Sequence, residues 1–303
     1  MSRFDDIIEL PGLPAPKLVE PVHVDVLQQR QRDKYAELYP DFEDETEFEP
    51  VRAHFGTDAW VESLLRTRIN EAASATRLAT ATGSDLDIIG ASRRRKIKRL
   101  VLDAGDPTAN PPREPVYESD EDYRRRIQLG PESYSTAGPE GAYVFWALSV
   151  PGVADATAVS PEPCDVLITI LAEAGDGTAA EELLAMVVEA TTAKNRRPLA
   201  DRVNVQSATI RHHVLSAILR VFPGPSWKLV EETAQANIDT YLESRRSIAK
   251  SLPVSALHAS LQVAGVHEVI LLLDGNPIGS GIEIGEFEAA HIDVELSVEV
   301  IDG

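Results

Sequence analysis

The sequence predicts an α+β protein with a helical N-terminal region followed by two duplicated small α+β modules. Three observations carry this expectation. Apolar residues recur at helical spacing through the first third of the chain, a Val-x-Gly-Val junction occurs twice in the second half, at 150–153 and 263–266, and each junction leads into stretches that alternate apolar and polar residues. At 303 residues, with 43% apolar and 26% charged composition, the chain can build more than one core. The reading divides it into an extended arm (1–21), a helical region (22–102), a proline-rich connector with a capped helix (103–142), a first α+β module (143–222) and a second (223–303).

Pro11, Pro14, Pro16 and Pro21 each lack an amide donor and bias the preceding residue away from helix, so 1–21 reads as extended. Val24, Leu27, Tyr35 and Leu38 then lie among polar residues at helical spacing, with Pro40 as the stop. Five of the seven residues 43–49 are acidic, which reads as a solvated loop because no geometry-forcing glycine accompanies them. A stronger helix is expected from Asp58 as its cap, with Trp60, Leu64, Leu65, Ile69, Ala72, Thr76 and Ala79 along one stripe and Gly83 as its end. A short segment with Leu86, Ile88 and Ile89 leads to the one dense basic run, in which six of the seven residues 93–99 are cationic. That run lacks interleaved aromatics, so it reads as a solvated face or a dock for an acidic partner segment rather than a nucleic-acid arm.

The connector holds Pro107, Pro111, Pro112 and Pro115, which forbid a continuous helix or a central strand. Ser119 with Asp122 resembles a capping box, and Asp120–Arg124, Glu121–Arg125 and Asp122–Arg126 are acid-first pairs at i,i+4. In the second half, Gly152 and Gly265 are placed to turn a helix into a strand. Val166, Ile168 and Ile170 continue the first copy, and Ile292, Val294, Leu296 and Val298 the second. Helices are expected over 178–193 (Leu183, Leu184, Val187 and Ala190 inward) and 226–242 (Trp227, Val230, Ala234, Ile238 and Tyr241 inward). The stretches 203–211 and 214–222 read as a strand pair ended by Pro223-Gly224-Pro225.

The balance of 49 acidic against 29 basic residues gives a formal charge of -20, which repels phosphate backbones and anionic membranes. The single cysteine, Cys164, excludes an intramolecular disulfide and fits a reducing compartment. Asp5, Asp6 and Glu9 stand where a signal peptide needs positive charge, so a soluble, unprocessed chain is expected. No phosphate-binding loop occurs, Gly275, Gly279, Gly281 and Gly285 make no dinucleotide fingerprint, and Ser280 between two glycines reads as a loop. His212 and His213 are adjacent and would point to opposite faces of a strand, while His258, His267 and His291 read as surface or satisfied core residues. The expectation is therefore no catalytic, cofactor-binding or metal-binding residue. A hydrolase or other enzyme of unknown class is the alternative, with carboxylates too numerous to single out a pair.

Five segments in order carry a resemblance: Leu38-Tyr39-Pro40-Asp41; Ala81-Thr82-Gly83-Ser84-Asp85-Leu86-Asp87; 106–112 (DPTANPP); 117–127 (YESDEDYRRRI); and 135–143 (STAGPEGAY). Together with the duplicated Val-x-Gly-Val modules, this order resembles the baseplate J-like family, the phage tail baseplate assembly protein J type. The resemblance implies a non-enzymatic wedge subunit of a contractile tail or tail-like injection particle. It also implies partners: other baseplate wedge proteins and further copies of the chain, with sheath or central hub proteins as additional candidates, and neither nucleic acid nor membrane. Helices at 24–38, 58–82 and 120–129 are the candidates for a bundle with another wedge protein, and the C-terminal modules for ring contacts. Assembly in the host bacterial cytoplasm and release by lysis within the particle go with that reading. The basic run 93–99 departs from the family pattern.

Overall fold

The structure is a computed structural model and describes residues 10, 20–40, 50–92, 97–135, 139–193, 196, 198, 200–222 and 227–301. Most of the expected arm, the acidic loop at 43–49, residues 93–96 of the basic run and the breaker series at 223–225 lie outside the described residues. The chain divides into two compact units, one of Ile7–Arg99 with Glu118–Ile127, the other of Met1–Asp6, Leu100–Tyr117 and Gln128–Gly303.

In the first unit, α1 spans Val24–Leu38, the bounds its apolar spacing implies, and Pro40 disfavours helical backbone at Tyr39. The second helix, α2, spans Pro50–Ala75, so it starts well before Asp58 and stops before Gly83. Proline is tolerated in a first helical turn because the amide it lacks would be unpaired there, which is why α2 extends back to Pro50. Gly83, at φ +51, opens α3 (Gly83–Ser92) instead of closing α2. Leu86 of α3 is fully buried, whereas Ile88 faces out.

The second unit begins with a small antiparallel ribbon, β1 (Val101–Asp103) against β2 (Val116–Tyr117), closed by an Asp106–Arg113 bridge. The proline-rich connector is thus an ordered hairpin whose prolines lie between and beside short strands. Helix α4 (Asp120–Leu129) follows and passes from one unit to the other in sequence.

The first module packs α5 (Glu140–Ala147) and α6 (Glu181–Thr192) on a sheet ordered β3 (Val153–Val159), β4 (Asp165–Ala172), β5 (Arg202–Ser207). β3 runs antiparallel and β5 parallel to β4, the parallel step being made through α6. Ile168 and Ile170 are fully buried, each contributing about 1.5–3 kcal/mol by burial.

The second module comprises β6 (Thr209–Val221), α7 (Trp227–Ser244), β7 (Leu252–Pro253), α8 (Val254–Leu261), β8 (Val266–Leu273), β9 (Asn276–Pro277), β10 (Gly281–Ile282) and β11 (Glu288–Val300). Its main sheet is ordered β11-β6-β8-β9, with β11 parallel and β8 antiparallel to β6. Leu215, Ala217 and Leu219 alternate into a core with Ala234 and Ile238 of α7 and Leu257 and Leu261 of α8. Trp227, expected inward, is 42% exposed at the start of α7.

The duplication is real at the junctions and altered beyond them. Gly152 (φ +91) and Gly265 (φ +100) both turn a helix into the next strand, where residues with a Cβ are strained. Both sheets also have a central strand flanked by one antiparallel and one parallel neighbour. The central strand follows the junction in the first module (β4) but precedes it in the second (β6). Accordingly, the expected pairing of 203–211 with 214–222 does not form. β6 runs straight through His212-His213, which offer no turn chemistry, and Ala208 alone separates it from β5 in the other sheet.

A small core of Leu171, Ala208, Ile248 and Ala289 joins the two modules. Asp155, 3% exposed, accepts hydrogen bonds from the backbone amides of Ala156 and Ile248, both at 2.9 Å. Arg246 adds a bond to the Gly175 carbonyl at 3.0 Å.

Candidate functional site

The outstanding feature of the helical unit is where α2 puts its polar and apolar residues. Facing α1, it presents Phe55, Ala59, Glu62, Ser63 and Arg66. Phe55 meets Tyr35 edge-on at 5.3 Å, Glu62 takes ion pairs from Arg30 and from Arg66 (2.9 Å), and Gln31 reaches Glu62. The two arginines hold the Glu62 carboxyl below the usual carboxylate range, Arg30 contributing most. Asn70 ties α2 to the preceding chain, donating to the Glu20 carbonyl at 2.8 Å.

Trp60, Val61, Leu64 and Leu65, on the sides of α2 turned from Phe55, Ala59 and Glu62, and Ile69, nearly in line with Glu62 two turns on, remain 56%, 44%, 50%, 62% and 60% exposed. Of the stripe read from the sequence, Trp60, Leu64, Leu65 and Ile69 lie on α2 and stay exposed instead of packing on the chain's own partner helix, whereas Thr76 and Ala79 lie beyond the end of α2. A helix normally buries its apolar stripe. Here a mostly small and polar face packs internally, and an apolar patch is left outside.

Two of the segments that carried the resemblance meet in the same unit. Ser119 Oγ accepts from the Asp122 amide at 3.1 Å, the serine half of the capping box read from the sequence, while the Asp122 carboxylate accepts from the Ser119 hydroxyl at 2.6 Å. The arginines of α4, however, are not on a solvated face. Arg124 donates to the carbonyls of Leu78 and Ala81, both at 2.8 Å, satisfying acceptors beyond the end of α2. Arg126 pairs with Glu118 (Nε–Oε2 2.9 Å), with both side chains nearly buried, and donates to the Lys98 carbonyl. Of the expected charge pairs, Arg124 still acts on Asp120 through its charge, but the hydrogen bonds of Arg124 and Arg126 go to buried carbonyls and to the Glu118 carboxylate, which outcompete an exposed helix pair.

Asp120 instead accepts from the Gly83 amide at 2.9 Å and from Arg99 at 2.7 Å; the Gly83 amide and then Arg99 hold its carboxyl low. Arg99 also binds Asp87 at 2.8 Å, so the last residue of the basic run is engaged inside its own unit. Tyr123, 1% exposed, donates to the Ile97 carbonyl at 2.7 Å, and burial pushes its hydroxyl pKa up. Gly90 lies against it, where an added Cβ would sit 2.0 Å from the Tyr123 oxygen. The motif glycines, aspartates and arginines thus clamp α2, α3 and α4 together.

The comparisons with known proteins bear on this clamp and on the first module. Residues 47–106 match the Baseplate J-like N-terminal domain, and residues 135–207 the Baseplate J-like central domain. The chain is also 38% identical to Baseplate protein J of Escherichia phage P2 over 273 residues, 88% of this chain and 90% of that protein. The chain belongs to the baseplate J-like family. A chain in the cryo-EM structure of the anti-feeding prophage baseplate, 6-fold symmetrised, is similar at 15% identity and a TM-score of 0.40, covering 60% of this chain and 44% of that one. The assignment rests on the sequence relationships.

In this baseplate J-like chain the N-terminal domain match takes in α2, α3 and β1, and the central domain match ends at the last residue of β5. Membership makes the chain a baseplate protein with a structural role. The residues weighed for chemistry are dispersed. His212 and His213 point to opposite faces of β6: His212 lies 3.2 Å from Asp176, and His213 2.8 Å from Asp274. His291, the register partner of His212 on β11, lies beside it with ring centroids 5.2 Å apart and the rings tilted by 60°, and His267 lies against Phe222. Among the described residues no three His, Cys, Asp or Glu side chains are placed to hold a metal ion, and no helix is long and apolar enough to cross a membrane. Cys164 is exposed.

Proposed function

We propose that this baseplate J-like chain is a wedge component of a contractile phage tail or tail-like injection particle, joining other wedge proteins and further copies of itself into the baseplate ring. The observation that carries the reading is the outward apolar stripe of α2. Fully burying a large apolar side chain yields about 1.5–3 kcal/mol, so five residues left about half exposed withhold roughly 4–7 kcal/mol that a partner helix would recover. That is the signature of a bundle completed by another chain. A ring of wedges further needs heterologous contacts whose rotation closes, a role we assign to the sheet modules. Opening of the ring on sheath contraction requires some of those contacts to be weaker and polar, so that a two-state interface responds to attachment.

The test is Leu64→Asp with Leu65→Asp, produced together with the remaining tail proteins. Because both side chains are mostly exposed in the chain, its circular dichroism should persist and its stability should fall by no more than about 1–2 kcal/mol, chiefly the helix propensity lost on exchanging two leucines for aspartates. Incorporation into particles, read by electron microscopy and mass spectrometry, should fall at least about tenfold, the ratio that 1.4 kcal/mol of lost interface energy produces. Particles carrying the normal complement of the variant would overturn the reading.

A further inference from the structure

Strand β11 spans thirteen residues, about 43 Å of edge, and pairs through its whole length with β6 on one side only. Its first carbonyl, that of Glu288, receives the Ala249 amide at 2.9 Å, and beyond that point no strand among the described residues pairs with its outer side. Natural sheets rarely leave so long an edge uncovered, because its unpaired amides and carbonyls template another strand. Along this edge runs a groove lined by Glu231, Glu232, Gln235, Ala236 and Asp239 of α7 and by Leu296 of β11. On the other face Asp293 and Glu295 project outward at alternate positions and are exposed.

We propose that the outer edge of β11 is a strand-addition site for an extended, Lys- or Arg-rich segment of another baseplate chain. Main-chain bonds to the free edge supply the affinity, and alternate side chains the choice of partner. On one face the added strand lays its side chains over Leu296 with their ends beside Glu231, Glu232 and Asp239. This placement suits the long stem and charged tip of lysine or arginine. On the other face cations opposite Asp293 and Glu295 form favourable cross-strand pairs. The same charges exclude a second copy of β11, since antiparallel self-pairing sets Asp293, Glu295 and Glu299 against one another. This inference rests on the assembly reading and names one contact within it.

The test uses the purified full-length chain and a blocked octapeptide repeating Lys-Lys-Val-Val, which sets lysines on both faces of an added strand. The outward amides of β11, those of alternate residues such as 292, 294, 296 and 298, should exchange with solvent about tenfold more slowly where the peptide pairs, as paired edge amides do. An octapeptide repeating Lys-Lys-Pro-Pro carries the same charge without half the donors and should give no protection, and one repeating Glu-Glu-Val-Val should not bind. Asp293→Lys with Glu295→Lys should weaken the Lys/Val peptide at least about tenfold, whereas Glu182→Lys with Glu189→Lys on α6, an equal charge change, should not; the tenfold corresponds to two lost charge pairs at the edge. Equal protection by the Lys/Pro peptide, binding without protection of β11, or unchanged binding by the β11 variant would each overturn the proposal. The assay needs no particle, so its failure leaves the role of the α2 stripe standing, and failure of the stripe variant leaves this edge to be judged by itself.

Discussion

Replacing Gly90 by alanine sets two effects of opposite sign against each other. Within a helix, alanine is favoured over glycine by about 1 kcal/mol, so propensity alone predicts a more stable protein. The structure predicts the reverse, because the new Cβ would lie 2.0 Å from Tyr123 Oη, 2.6 Å from its ring carbon and 2.9 Å from the Ile97 carbonyl oxygen. Tyr123 is 1% exposed and cannot step aside without disturbing its neighbours. Overpacking costs about 1–3 kcal/mol, and loss of the Tyr123–Ile97 hydrogen bond about 1–2 kcal/mol more. Net of propensity, Gly90→Ala should destabilise the helical unit by about 1–4 kcal/mol. Denaturant unfolding followed by circular dichroism, with amide exchange in α3 and α4 to isolate this unit, measures it. Tyr123→Phe removes the same bond, so the double variant should fall short of additivity by about 1 kcal/mol. A Gly90→Ala protein as stable as the parent, or more so, would refute the packing argument.

Three further outcomes follow from the described contacts. Asp155→Ala removes the acceptor of the Ile248 and Ala156 amides; it should cost about 2–4 kcal/mol and release Ile248 to exchange, with Asp155→Asn milder because it keeps one acceptor. Arg124→Ala leaves the Leu78 and Ala81 carbonyls without that donor and should cost about 1–3 kcal/mol in thermal or denaturant unfolding, a loss that Arg124→Lys recovers only in part. The depressed folded-state pKa of Asp120 means its contribution is fully present above the unfolded carboxylate range and is lost as pH falls through the folded value. Stability of the helical unit should therefore drop on acidification below about pH 4, and Asp120→Asn should flatten that slope.

Where one element's own residues dictate a feature, it was legible. The α1 bounds follow from local spacing and Pro40, the Ser119–Asp122 box from side chains three residues apart, and the Gly152 and Gly265 junctions from a backbone conformation that other residues resist. The mistaken elements share a cause as well. Asp58 and Gly83 are a good cap and a good stop by type, but a helix can begin at a proline, and Gly83 is held by Asp120, which is thirty-seven residues away in sequence. Periodicity identified the stripe of α2 without revealing which way it faces, because the pattern is identical whether the partner helix is in this chain or another.

The sequence by itself determined the α+β class and the kinship with baseplate proteins. Those depend on residue type and local order. Tertiary structure alone decided that Arg124 and Arg126 of α4 turn inward onto carbonyls and Glu118, that large apolar residues of α2 stay exposed, that β6 pairs with β11 across most of the second module, and that no strand among the described residues pairs with the outer edge of β11. Each of these is a competition between partners distant along the chain, and burial, not spacing, settles which partner wins.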